Sequence, residues 1–129
     1  MHKRERFYKI PCKPIAWKRA GINGKIFFDT QKSEKEAYAL YLQNYHGNEE
    51  PFHTPIEVVI TFYLPKAAKT KKANMPVYHS SKPDIDNLCK FLFDAMNEVI
   101  FTDDRIIARL IVEKKYTIDP RTEITIKEL

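Results

Sequence analysis

Hydrophobic and polar positions alternate most regularly between Ile56 and Leu64. Ile56, Val58, Ile60, Phe62 and Leu64 fall on one side, and Glu57, Thr61 and Tyr63 on the other. A period of two predicts a strand with one covered face, which Pro65 ends. Arg105 to Tyr116 alternates too: Ile106, Ala108, Leu110 and Val112 share a face, and Arg105, Arg109, Glu113 and Lys115 share much of the other. Asp119-Pro120 then reads as a turn and Glu123 to Leu129 as a last strand, so the final two strands are expected to pair as a hairpin. Phe7 to Ile10, stopped by Pro11 and Pro14, and Lys25 to Phe28 are shorter strand candidates, separated by a loop with Gly21, Asn23 and Gly24.

Two segments follow the helical period instead. Ser33 with Glu36 resembles a capping box, and Ala37, Leu40, Tyr41, Asn44 and Tyr45 continue at helical spacing up to Gly47. The first helix is therefore predicted over 33–45. The second is predicted over 87–97, with Leu88, Phe91, Leu92, Ala95 and Val99 as its apolar stripe and Asn87, Lys90, Asp94 and Asn97 on a polar one. No repeat, low-complexity tract or linker interrupts the chain. The expected class is α+β, with a small mixed or antiparallel sheet of about four to five strands and two helices, in a single domain over 1–129.

Composition sharpens this picture in three ways. Apolar residues make up 43% of the 129, with eight Phe and seven Tyr, which supports a real core and excludes global disorder. Lys and Arg outnumber Asp and Glu by 22 to 17, a net charge of +5 that suits a polyanionic partner. Cys12 and Cys89 have neither pair spacing nor zinc spacing and read as reduced thiols. The N-terminus leads into no apolar signal region and no stretch is long enough to span a bilayer, so a soluble cytoplasmic protein with no membrane association is expected.

Candidate chemistry lies around the second helix. Asp84 and Asp86 are one residue apart where a Pro-flanked segment enters the helix. In an extended segment, residues two apart point the same way, so both carboxylates would reach a common point and offer hard oxygens to Mg²⁺ or Mn²⁺. The competing reading is helix capping. Asp103 and Asp104 form a second acidic pair in a turn after Ile100-Phe101, where ordinary turn chemistry also accounts for them. A helix of about 16 Å followed by a connection reaching about 23 Å allows a return to Asp86 within one chain, or across a dimer. Lys90 stands one turn beyond Asp86, either as an ion pair or as a cation serving a phosphate, and Asp94 is either its supporting partner or a solvated residue. His2, His46, His53 and His79 show no partner spacing and read as surface or loop residues.

Lys82-Pro83-Asp84-Ile85-Asp86-Asn87-Leu88-Cys89-Lys90, then Asp94-Ala95, Asp103-Asp104, and Lys114 with Tyr116 resemble the RusA family of Holliday-junction resolvases. Pro14, Lys18 and Arg19 resemble its N-terminal half. The resemblance implies a homodimeric, Mg²⁺-dependent endonuclease, with Mn²⁺ as a substitute, that resolves four-way DNA junctions by paired nicks in recombination and repair, in a bacterial or phage-encoded protein. Carried over by position, Asp84, Asp86 and Asp104 would be the essential metal-binding carboxylates and Lys90 the catalytic lysine, with Asp103 supporting the turn. Some members place arginines directly before the Asp-x-Asp; here that stretch is His79-Ser80-Ser81-Lys82. DNA phosphates would instead meet Lys18, Arg19, Lys66, Lys69, Lys71, Lys72 and Lys82, while Trp17 or Tyr78 either stacks on bases or packs in the protein. Two other readings stand beside this one: a metal-dependent nuclease acting on other branched or duplex nucleic acid, and a non-catalytic DNA-binding module.

Overall fold

The computed structural model describes residues 2–19, 30–66 and 76–129 with their side chains, and residues 21–23 and 26–28 by their backbone. The elements run β1 (Glu5–Ile10), β2 (Gly21–Asn23), β3 (Ile26–Phe28), α1 (Lys32–His46), β4 (Ile56–Pro65), α2 (Ile85–Met96), a 3-10 turn (Asp104–Ile106), β5 (Ile107–Thr117) and β6 (Arg121–Glu128). β2 and β3 form a separate antiparallel ribbon. The other four strands make one mixed sheet in the order β1-β6-β4-β5, so the class is α+β as the patterning predicts.

β4 takes an inner position because it has the most apolar inward row. Ile56, Val58, Ile60, Phe62 and Leu64 are all buried, and their opposite neighbours are only half-covered. It runs antiparallel to β6 and parallel to β5. A parallel neighbour requires a crossover, which the segment carrying α2 supplies. The stripe Leu88, Phe91, Leu92 and Ala95 is buried as its spacing predicts, in one cluster with β4, Ile124 and Ile126 of β6, and Tyr8 and Ile10 of β1.

The last two strands are not a hairpin. β4 lies between β5 and β6, and Ile118-Asp119-Pro120 steps over its end. Two strand spacings amount to roughly 10 Å, and the four steps from Thr117 to Arg121 reach about 13 Å, so the short turn suffices. Arg121 closes it by donating to the Asp119 carbonyl at 3.0 Å.

α1 departs from its predicted face and cap. Its buried residues are Tyr38, Leu42 and His46, while Leu40, Tyr41 and Tyr45 are exposed. His46 is therefore a core residue rather than a surface one. Its Nε2 faces the Glu50 carbonyl at 3.1 Å, and a carbonyl only accepts, so Nδ1 is left to accept from the Tyr8 hydroxyl at 2.8 Å. Ser33 lies inside the helix, and no capping box forms. The N-cap is Gln31, which makes no side-chain cap bond. Its buried amide instead donates to the Ala16 carbonyl at 2.9 Å and accepts from the Lys18 N–H at 2.8 Å, pinning the loop that holds Trp17.

After α2 the chain is fixed by Phe52, whose N–H donates to the Ile100 carbonyl at 2.8 Å and whose carbonyl accepts from the Thr102 N–H at 3.0 Å. Phe101 between them is fully buried and anchors the following acidic turn. Phe101→Ala is expected to cost about 3–5 kcal/mol of stability, read as a lowered urea midpoint with an unchanged slope.

Candidate active site

α2 starts two residues earlier than the sequence suggests, and this changes how its carboxylates are arranged. Asp84 is the extended N-cap residue (ψ 145°), whereas Asp86 already lies in the first helical turn. The two do not project from one extended segment. Asp84 lines an opening with Lys82, Pro83 and Asn87. Asp86 lines a neighbouring cavity of about 430 Å³ with Ile85, Cys89, Lys90, Phe93, Asp104, Leu110 and Val112. Asp84 makes no side-chain cap bond, so the helix does not consume its carboxylate. One oxygen of Asp86 accepts from the Asn87 N–H at 2.9 Å.

Asp104 lines the same cavity as Asp86, from the 3-10 turn that leads into β5. The adjacent acids of this turn behave differently. Asp103 accepts from the Arg105 N–H at 2.9 Å, and this bond holds its carboxyl below the usual range. Asp103 is thus the turn's structural acid. Asp104 is pushed the other way, first by burial, then by Asp103 and the more distant Asp94, with Lys90 opposing them. Negative charge at Asp104 is under-compensated, the electrostatic setting in which a cation is favoured.

Lys90 lines the same cavity as the two acids, and its ammonium is 5.0 Å from the centre of the Trp17 ring. The Trp17 backbone N–H donates to the Asn87 carbonyl at 2.9 Å, and its side chain packs, partly buried, against the core. Asp94 is not Lys90's supporting partner; it forms an ion pair with Lys35 of α1 at 3.5 Å. Cys89 is buried, and its thiol is pushed up to about 11 by burial and by Asp86, so it is no nucleophile at neutral pH.

Among the described residues, no three His, Cys, Asp or Glu side chains stand close enough to form a ready-made metal cage. Asp86 and Asp104 share a cavity, with Asp84 at the adjoining opening. As a donor set, hard carboxylate oxygens fit Mg²⁺ or Mn²⁺. Of the predicted DNA-contacting residues, Lys82 borders Asp84's opening, Lys18 and Arg19 are exposed beyond Trp17, and Lys66 follows the end of β4. Lys69, Lys71 and Lys72 lie outside the described residues. Tyr78 is exposed and bridges to Lys115.

Residues 11–127 match the family model described as endodeoxyribonuclease RusA. The chain belongs to the RusA endodeoxyribonuclease family. The match takes in every element from β2 to β5 and nearly all of β6, so the acids at α2 and at the start of β5 all fall inside it. The chain is also similar to the uncharacterized protein YqaN of Bacillus subtilis (strain 168), at 31% identity over 117 residues, 83% of this chain and 82% of that protein. Among the described residues, no helix is long and apolar enough to cross a membrane.

Two features of this RusA-family site lay outside the sequence reading. One is the seat of Lys90 on Trp17. The other is the bonding of Lys114, a residue of the family pattern whose ammonium donates to the carbonyls of Ser81 and Pro83. His79 is also better packed than expected. Its ring is 4.6 Å from that of Tyr116, and burial, then Lys114, hold its pKa below the ordinary value. A histidine with a lowered folded pKa disfavours the proton that the unfolded chain accepts. Stability is then retained above pH 6.5, the ordinary value, and declines as the pH falls through it. His79→Phe is expected to flatten this decline between pH 7.5 and 5, measured by urea midpoints at each pH.

Proposed function

We propose that the chain is a Mg²⁺-dependent endodeoxyribonuclease, with Mn²⁺ as a substitute, that resolves four-way DNA junctions by paired symmetric nicks during recombination and repair. The observation that carries the reading is the shared cavity of Asp86, Lys90 and Asp104, which brings an acid from α2 and one from the start of β5 together around a lysine. Asp84, Asp86 and Asp104 would hold the cation. When bound, it would supply charge neutralisation at the phosphate and a more acidic water. Lys90, seated on Trp17, would face the non-bridging phosphate oxygens as negative charge builds on them. Attack by water forms one P–O bond and breaks another, and the leaving sugar oxygen takes up a proton. Exposed Lys18, Arg19 and Lys82 would hold the phosphates on either side, joined by Lys66, Lys69, Lys71 and Lys72 from the segment after β4.

Paired nicks require two sites related by a two-fold axis, which a homodimer supplies. Ile85 and Leu110, 38% and 43% exposed, leave apolar surface on the cavity wall. Among the described residues, the outer side of β5 is met near its far end by the short segment Val77 to His79. A second copy covering this wall and edge would bury surface that a monomer leaves wet.

The test is cleavage of a synthetic four-way junction, with and without Mg²⁺, beside flap, linear duplex and RNA substrates. The expected result is symmetric nicking of the junction that needs the metal. Asp84→Asn and Lys90→Met are each expected to lower the rate by at least about 100-fold, with junction binding retained in a gel shift. Preferential cutting of flap, duplex or RNA would move the substrate to another nucleic acid. With no cutting and no rise in melting temperature in 10 mM Mg²⁺, the chain would instead be a DNA-binding module.

A further inference from the structure

Lys114 stands on the helix-covered side of β5, aligned with Phe62 of β4 and two residues beyond Val112. A charged side chain in that row needs partners. It finds them in the carbonyl of Ser81, at 2.9 Å, and that of Pro83, at 2.8 Å. The second is the peptide oxygen directly before Asp84. Pro83 has no N–H to tie the segment down, so the side chain of a neighbouring strand does so. The backbone of the same strand holds the residues upstream: the His79 N–H donates to the Lys114 carbonyl at 3.0 Å, and the Tyr116 N–H to that of Val77 at 3.1 Å. The whole approach to α2 is thus laced to β5, and its last tie before the acids is one ammonium.

We propose that Lys114 is a positioning residue for the nuclease site. It fixes the backbone from Ser81 to Pro83, and so sets where Asp84 enters α2 relative to Asp86 and Asp104. The start of β5 carries the turn of Asp104, and a later residue of the same strand holds the segment of Asp84, so one rigid strand spaces the two acids. Lys114 acts through the backbone and touches neither metal nor phosphate. The inference rests on the metal-nuclease reading above.

The test compares wild type with Lys114→Met, which loses the donors, and Lys114→Arg, which keeps them. Three quantities are measured on each intact protein: Mn²⁺ affinity by calorimetry, the Mg²⁺ concentration giving half-maximal junction cleavage, and junction binding without metal. Partners that orient metal ligands are typically worth 10- to 100-fold in metal affinity. Lys114→Met is therefore expected to weaken Mn²⁺ binding and raise the Mg²⁺ midpoint by at least about 10-fold. Excess metal should restore most of the rate, metal-free junction binding should be unchanged, and Lys114→Arg should recover most of the affinity. Lys90→Met, by contrast, should stay slow at any metal concentration. A wild-type Mg²⁺ midpoint in a folded Lys114→Met that still cuts would overturn the inference and leave the nuclease reading intact. A wild-type protein that neither binds Mn²⁺ nor cuts would overturn both. If Lys114→Met loses its circular-dichroism signal, Lys114→Gln takes its place, with the same shift in Mg²⁺ midpoint expected and an unshifted midpoint again overturning the inference.

Discussion

The apolar stripe of α2 has to be covered, and it is covered in the one buried cluster that also takes in the inward row of β4. Much else about the site follows from that contact. Because β4 and β5 are parallel, the chain leaves β4 at one end of the sheet and must return to the other, and α2 makes the return. The start of α2, with Asp84 and Asp86, is thereby set at the finishing end of both strands, where Lys114 and Tyr116 lie. Its finish is set near their beginning, where Asp104 lies. Asp86 and Asp104 consequently line one cavity beside the helix, with Asp84 at an opening by its tip. Lys90, half-way along, lines that cavity with Asp86 and Asp104.

Strong periods made β4 and α2 legible. In each, every residue predicted to be inside is an apolar residue repeating at one period, and nothing else competes for the buried face. The span of α1 was legible but its buried face was not, because that face includes His46, a polar residue satisfied by Tyr8 from a distant strand and by the nearby Glu50 carbonyl. Counting it as polar turns the predicted stripe towards Leu40, Tyr41 and Tyr45, which the structure leaves exposed. The β5–β6 pairing failed for a related reason. Adjacency in sequence favours a hairpin, but β4 has the most apolar row and takes the place between them. In both cases a non-local partner overrode a local signal.

The acidic motif was legible as a set of residues but not as a geometry. Starting α2 at Ile85 instead of Asn87 puts Asp86 on the helix, so the two acids share no extended backbone, although both remain at the mouth of the same region. Lys114 did carry a signal in the sequence. Ile106, Ala108, Leu110 and Val112 read as one apolar face, which Lys114 and Tyr116 continue, although the structure leaves Ala108 and Leu110 exposed. A lysine in an apolar row signals a partner to be found; only the fold shows that the partner is the backbone before Asp84.

The way charges are shared out favours a site kept ready for an anion. Asp84 sits at an N-cap and forgoes a cap bond typically worth about 1 kcal/mol. Of the adjacent acids, Asp103 commits its carboxylate to the turn, which leaves that of Asp104 to the cavity. Asp94, the acid one turn beyond Lys90, is drawn to Lys35 of α1. Lys90 therefore rests on an indole face rather than in an ion pair with that neighbour. A lysine locked to a carboxylate must give up that contact before it can serve a phosphate. A cation on an aromatic ring gives up less, about 0.5–1 kcal/mol where exposed, and on the proposed reading the ring would restrain the side chain until a phosphate arrived. Lys35 and Trp17, neither of which belongs to the acidic motif, are thus what leave its lysine available.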